Sequence, residues 1–455
     1  MPRWTLILLS LLVPAALQST ARAAPIPSWD PATTWVLVAG VVRWRDPSLE
    51  RFDAHHRKDL ELMAALTERG VPEPQRKLLI DGQATRASVL TALDFQVATA
   101  PPGATFIVYF EGHGLYDDAH QYVLATSDTR TERLDRTGLP IASLLPLLAV
   151  RGPTDRVLLL GDACYSGHLA AIALGLSYLG VPAVALTSAN EVSASSENWT
   201  YTQALIDALR GRAIIDRDRN GRILMSEVAE EARSAMRYRE GQPIGFAPIG
   251  FADLDFGPAA PWPADQQALE MKGDVFARGD WVVARRLDGE RGIARVIGAR
   301  REEDRPLRLR LEYYDYTDRA FGWAREDRAD PVMFYVYPVG TRLKVEADEV
   351  EYSARVIRVE DGMHLVHFEG WLDPEHDADA VLPDDEFVTP DQIMGLLDAA
   401  LEASQRVLVE DQGDLYEAVI KGRFNGEVCL RYPGSPFVQD DCVPESRVSR
   451  DTRAP

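Results

Sequence analysis

From residue 34 to about 251, short apolar runs alternate with longer stretches in which apolar residues recur every three or four positions. That alternation predicts a mostly parallel sheet covered by helices. The runs predict strands at 35–42, 76–80, 105–110, 156–160 and 183–187, and the helical periodicity predicts helices at 56–68, 85–97, 139–148 and 168–177. In sheets of this kind functional groups collect beyond the carboxyl ends of the strands. Two strands run directly into chemistry. One leads into Glu111-Gly112-His113-Gly114 and the other into Asp162-Ala163-Cys164.

The pattern changes after Pro248, Pro258, Pro261 and Pro263 to turn-rich, strand-like sequence. Ala294-Arg295-Val296-Ile297, Ala354-Arg355-Val356-Ile357 and Ala418-Val419-Ile420 each follow a valine-rich strand. The period is roughly 60 residues and predicts three small β-barrels in a row. The expected layout is an α/β domain at 24–257, a linker at 258–270, and barrels at 271–331, 332–392 and 393–455.

Residues 1–23 read as an export signal, with Arg3 as the charge, an apolar run at 4–17, and Ala21-Arg22-Ala23 as a small-x-small cleavage site. The run is short for a membrane span, and Pro14 argues against an uncleaved anchor. The expectation is a periplasmic or extracellular protein with no integral membrane segment.

A length of 455 residues exceeds one ordinary core, and 46% hydrophobic with 26% charged residues is a globular balance. The 49 Lys and Arg against 70 Asp and Glu give −21, a field that repels nucleic acid and favours a basic substrate or a cation. The cysteines are Cys164, Cys429 and Cys442. In an oxidising compartment the last two are close enough in sequence to bridge, which leaves Cys164 as the odd thiol.

Neighbouring parallel strands would bring His113 and Cys164 to one sheet edge, where an imidazole can promote a thiolate. Taken singly, Cys164 also reads as a small buried hydrophobe and His113 as a core histidine. Gly112, Gly114 and Gly167 permit unusual backbone angles and close approach of a peptide. A second constellation, Asp216, Asp218, Asn220, Gly221, Arg222 and Glu227, follows the calcium-loop template, with Arg222 contributing its backbone carbonyl. Three arginines within the loop lower cation affinity, and a helix-connecting turn of the same shape accounts equally for the spacing. Calcium is thus a candidate ion, and the chemistry at Cys164 requires no cofactor. No cluster of histidine and cysteine has zinc spacing; His55, His56, His120, His168, His364, His367 and His376 read as solvated or structural.

The Gly-His-Gly and Asp-x-Cys-x-Ser-Gly motifs, 51 residues apart from His113 to Cys164, together with the stretch from Tyr201 to Gly211, resemble the caspase–metacaspase superfamily of cysteine peptidases over about 35–251. The resemblance implies a caspase-like α/β fold and peptide-bond hydrolysis through a thioester. It casts Cys164 as nucleophile, His113 as general base and then acid, and the N–H groups of Gly114 and Cys164 as the oxyanion hole. Asp162 stands where metacaspases carry the acid that contacts a P1 arginine or lysine, and it also suits a helix cap. Arg43 and Arg45 lie where an aspartate-reading arginine of a caspase would be. Ser193, within the run to Ser196, lies where relatives pair backbone with an extended substrate.

In the second barrel, 352–357 and 364–371 resemble the Tudor, chromo-barrel and SH3-like families. Tyr352, Phe368 and Trp371 would line a ligand cage in some relatives and would form the core of a small barrel in others. The partners expected are a protein or peptide substrate and an unidentified protein or surface ligand of the barrels. A catalytically silent caspase-like adaptor is the rival reading, and transpeptidation by the same dyad is a third.

Overall fold

The computed structural model describes residues 26–450 apart from 56, 197, 252, 287–290, 302–304, 316–317, 333–335, 348–349, 361, 372–381, 384, 389–391, 397–405, 412–413, 425–426, 433–440 and 445–447. The expected export signal, His56 and His376 lie outside the described residues.

The first half is built on β1 (Thr34–Gly40), β2 (Arg76–Ile80), β3 (Thr105–Glu111), β7 (Arg156–Asp162), β8 (Ala183–Thr187) and β10 (Gly245–Ala247). Their order is β10-β8-β7-β3-β1-β2, parallel throughout except for β10. A small sheet sits above the carboxyl ends, made of β4 (Gly114–Tyr116), β5 (Tyr122–Leu124) and β6 (Leu139–Pro140). A two-stranded piece joins β9 (Arg222–Leu224) to β11 (Asp255–Pro258).

Alternation along each strand divides the core into two layers. Val36, Val38, Ile107, Tyr109, Leu158 and Leu160 pack toward α1 (Asp59–Glu68), α6 (Thr200–Leu209) and α7 (Met225–Ala235). Trp35, Leu37, Phe106, Val108, Val157 and Leu159 pack toward α2 (Arg86–Thr99), α4 (Leu144–Leu148) and α5 (Leu169–Tyr178). Thr85 starts α2 by accepting the Ser88 N–H through its hydroxyl, which satisfies one orphan donor of the first turn. A one-turn α3 (Leu134–Thr137) precedes β6.

The helix expected at 139–148 is the main correction in this half. Leu139 and Pro140 pair with Leu124 and Val123, and only Leu144–Leu148 is α-helical. Pro140 has no N–H and ties its neighbour to extended backbone, so the apolar run begins as strand and turns late.

After α8 (Ala264–Gln267), three five-stranded antiparallel sheets follow. The first comprises β12 (Trp281–Arg285), β13 (Arg291–Arg300), β14 (Arg308–Asp315), β15 (Asp318–Arg325) and β16 (Asp330–Pro331). The second comprises β17 (Arg342–Ala347), β18 (Val350–Glu360), β19 (Met363–Trp371), β20 (Glu386–Val388) and β21 (Ile393–Leu396). The third comprises β22 (Arg406–Asp411), β23 (Asp414–Phe424), β24 (Glu427–Arg431), β25 (Asp441–Pro444) and β26 (Val448–Arg450). All three share one order, with the last strand returning to pair with the first.

Two expectations shift here. Ile393–Leu396 pairs with β17, so the second unit runs past the boundary placed at 392. The segment set down as a linker packs instead on the first sheet: Leu269 is buried, Glu270 pairs with Ala299, and Trp262 lies under the Arg278 guanidinium. Cys429 and Cys442 face each other across β24 and β25 and are disulfide-bonded, which leaves Cys164 as the free thiol.

Candidate active site

β3 and β7 are parallel neighbours in register, with Glu111 opposite Asp162, so the residues just beyond both strands emerge together. The Gly112 N–H donates to the Asp162 carbonyl at 3.1 Å. Gly112 holds a φ of +148°, a conformation that side chains other than glycine's rarely adopt. Gly114 then lies against the main chain of Cys164: a Cβ there would come within 2.1 Å of the Cys164 carbonyl oxygen. The Tyr122 hydroxyl donates to that same oxygen at 2.8 Å. The two N–H groups expected to form an oxyanion hole therefore belong to chain segments in direct contact.

Cys164 opens a tight turn. Tyr165 adopts the left-handed region at φ 57°, a strained choice for a large side chain, and its N–H donates to the Ser193 carbonyl at 2.8 Å. Strain of this kind at a strand-to-helix turn fixes the direction of the preceding side chain. The Ser195 N–H donates to Cys164 Sγ at 3.3 Å. Burial pushes the thiol above its usual value, and the Asp162 and Glu386 carboxylates act in the same sense while the Ser195 N–H opposes them.

His113 occupies an aromatic slot. Its ring centroid lies 4.4 Å from both Trp44 and Phe52, and Phe52 contacts Trp199 at 5.3 Å. Nε2 is 2.9 Å from the Glu50 carbonyl oxygen. Burial lowers the imidazole below its ordinary value, with the Glu50 carbonyl opposing. Among the described residues no hydrogen bond joins this imidazole to the thiol. Burial thus favours the uncharged form of both the imidazole and the thiol.

Asp162 is 1% exposed. Its Oδ2 accepts from the Thr202 hydroxyl at 2.6 Å and the Thr202 N–H at 3.3 Å, and its Oδ1 accepts from Ser195 at 3.4 Å. Burial pushes its carboxyl up to about 6, against the hydrogen bonds from Thr202, Ser188 and Ser195. The Tyr109 hydroxyl bridges Thr202 Oγ1 and Glu111 Oε2 at 2.6 and 2.8 Å, so the two strand-end acids are linked through the phenol and the Thr202 hydroxyl. Burial, then Asp59 and Asp162, raise Glu111 well above the usual carboxylate range. A cation reaching Asp162 would displace the long Ser195 bond first.

The other sequence candidates are placed as follows. Ser193 is buried and ties the turn after Cys164 through its carbonyl; the serine of that run that touches the thiol is Ser195. Gly167 abuts Asn190 and Glu191 main chain, so its missing side chain serves loop packing. Arg45 reaches the Gly82 carbonyl at 3.4 Å, and Arg43 is exposed. His168 bonds the Tyr116 hydroxyl at 2.8 Å and stacks on Tyr122. Asp216, Asp218 and Glu227 bring ligand oxygens within 4.8 Å of one another.

Sequence reading missed Trp44, Phe52 and Glu50, which hold the imidazole. Trp44, flanked by the two arginines just after β1, was the available signal. Glu111 carries no role in the sequence motif, and its opposition to Asp162 is visible only in the strand register.

No protein-family model and no curated protein matches the chain. Solved structures with some similarity include a structural-genomics target from Geobacter sulfurreducens, 16% identical over 51% of this chain and 96% of its own, with a TM-score of 0.34. Caspase-1 from Spodoptera frugiperda is 14% identical over 53% of this chain and 100% of its own, with a TM-score of 0.33.

Proposed function

We propose that the chain is an exported cysteine endopeptidase of metacaspase type that cleaves after basic residues. Its three C-terminal sheets act as SH3- or Tudor-like binding modules for a protein or surface ligand. The observation that supports this reading is the junction of β3 and β7, where Gly114, the residue after His113, lies against the main chain of Cys164. Burial of Tyr352 and Phe368 within the second sheet favours their reading as core rather than ligand cage. The Cys429–Cys442 bridge supports an oxidising compartment.

In this mechanism His113 leaves the Glu50 carbonyl as substrate enters and takes the Cys164 proton. Sulfur attacks the scissile carbonyl carbon, and the oxyanion is held by the N–H groups of Gly114 and Cys164. The imidazolium returns its proton to the leaving amine, and water hydrolyses the thioester. The test is to compare wild type with Cys164→Ala on casein and on arginyl and aspartyl fluorogenic peptides. The expected loss is about 10³-fold or more, with arginyl substrates preferred. Equal rates would remove the nucleophile, and an aspartyl preference would sink the basic P1.

The rival reading, a silent adaptor, has one observation in its favour: the imidazole is bonded to the Glu50 carbonyl rather than to the thiol. No turnover by either protein would select it.

The loop from Asp216 to Glu227 would hold calcium through Asp216, Asp218, Asn220, the Arg222 carbonyl and Glu227. The fit is partial. Asp216 Oδ1 is buried without a hydrogen-bond partner, but Glu227 already accepts the Arg217 and Leu224 N–H groups at 2.8 and 3.0 Å. Calorimetry with calcium on wild type and Glu227→Gln should give a weak signal lost in the variant; identical titrations would end the assignment.

A further inference from the structure

β2 closes the large sheet on one side, where it pairs with β1 alone among the described strands. Its outer edge therefore offers N–H and C=O groups at alternate residues. A groove of about 810 Å³ runs beside that edge, between β2 and α2. Its lining extends from Pro74, before the strand, to Gln83, after it, so the groove follows the strand along its whole length.

α2 turns two faces to different uses. Val89, Leu93 and Val97 enter the core, while Ala87, Thr91 and Phe95, one turn apart, line the groove with Ser88 and Ala92. The small side chains leave the floor low, and the Phe95 ring beside them is 62% exposed. Gln96 fixes the helix to the strands: its Nε2 donates to the Val36 carbonyl at 2.8 Å and to the Gln75 carbonyl at 3.3 Å. The groove is thus built into the fold. Its charge is one-sided, in a chain of net charge −21. Arg76 turns to the Thr67 hydroxyl, and Lys77 is exposed and holds no ion pair among the described residues. No described carboxylate lines the groove.

We propose that the groove takes up an extended segment of another protein, which joins β2 as an added strand and sets an acidic side chain against Lys77 and an apolar one against Leu79 and Ala92. The open edge selects a polypeptide, since a backbone matches its alternating donors and acceptors. Lys77 and Leu79 lie on one face of β2, so the acidic and apolar side chains stand at alternate positions. β1 separates β2 from β3 and its Gly-His-Gly extension, so the inference stands apart from the peptidase reading.

The test is selection from a library of random linear peptides on the full chain carrying Cys164→Ala, which leaves bound peptides uncut whatever the activity. Selected peptides should carry glutamate or aspartate and an apolar residue at alternate positions, and one of them, labelled, serves as the probe in fluorescence anisotropy. Phe95→Ala should weaken its binding roughly tenfold. Lys77→Glu should weaken it roughly fivefold, and exchanging the acidic residue of the probe for lysine should restore the loss. Thr91→Trp, at an exposed helix position, should fill the groove and abolish binding with an unchanged melting curve. N-methylation of the probe at alternate residues should abolish binding in one register and spare it in the other, as strand addition requires. No enriched peptide, or a probe indifferent to Lys77→Glu and Thr91→Trp, overturns the proposal, and so does a probe that tolerates every N-methylation. A dimer in sedimentation that Thr91→Trp dissociates would overturn it as well, since a second copy would then hold the groove.

Discussion

The first and second antiparallel sheets both dock on the α/β half, and they do so by opposite means. The first uses buried charge. Arg295 and Glu231 are 1% and 3% exposed and ion-paired, while Arg212 bridges Asp207 and Glu312 at 2.9 and 2.7 Å. Arg319 joins the same two acids, and Trp281 stacks on Tyr238 at 5.6 Å. The second uses a small apolar patch on Val192. Charge pairs in a dry junction tolerate one register only, because each misplaced partner leaves a buried charge unpaired. An apolar patch has no such demand and can slide or part. The charged junction lies along α6 and α7, and the apolar one lies on the loop that reaches the thiol.

The difference is broken most severely by Arg295→Ala. Burial opposes the Glu231 charge, and Arg295 holds that carboxyl below its usual range nonetheless. Without the guanidinium, stability should fall by about 3–5 kcal/mol in urea denaturation. The double change Arg295→Met with Glu231→Leu should recover most of that loss, since it removes both charges together. A single-variant loss below 1 kcal/mol would show that water reaches the junction.

The second sheet responds to acid through a buried histidine, where the first junction would respond through its carboxylates. His364 is 2% exposed, its Nε2 accepts the Tyr337 N–H at 2.7 Å, and burial pushes its imidazole down to about 4 from 6.5. The unfolded chain takes up a proton near 6.5 and the folded chain does not until about 4. The unfolded state therefore binds more protons across that window, and stability falls as pH drops through it, by about 3 kcal/mol in all. Denaturant midpoints at pH 7 and pH 4 should differ by that much less in His364→Gln.

Sequence alone located both strand ends at the site, because an apolar run that stops at Asp-x-Cys or Gly-His-Gly needs no partner to be seen. The aromatic slot around His113 was not visible, since Trp44 and Phe52 lie more than 60 residues away and meet it only when β1 pairs with β3. The repeat behind the three antiparallel sheets was legible from its valine-rich strands. The contact of Val192 with Leu365 and Phe387 was not, because two isolated apolar residues carry no periodic signature. The run at 139–148 was misread for a related reason: its leucines fit a helical stripe, and a pairing with β5, set by tertiary context, prevailed.

The smallest expected effect separates mechanical from functional docking. The Trp281 indole N–H donates to the Ser234 hydroxyl at 2.8 Å across the first junction. Ser234→Ala leaves that donor unsatisfied and should cost about 1 kcal/mol. Since the bond belongs to the charged junction, the rate at which iodoacetamide alkylates Cys164 should not move, whereas Phe387→Ala, which thins the apolar patch on Val192, should raise it. If Ser234→Ala shifts that rate as much as Phe387→Ala does, the two junctions transmit to the thiol alike. The distinction between a charged clamp and an apolar contact then fails, because loosening either sheet would expose Cys164 equally.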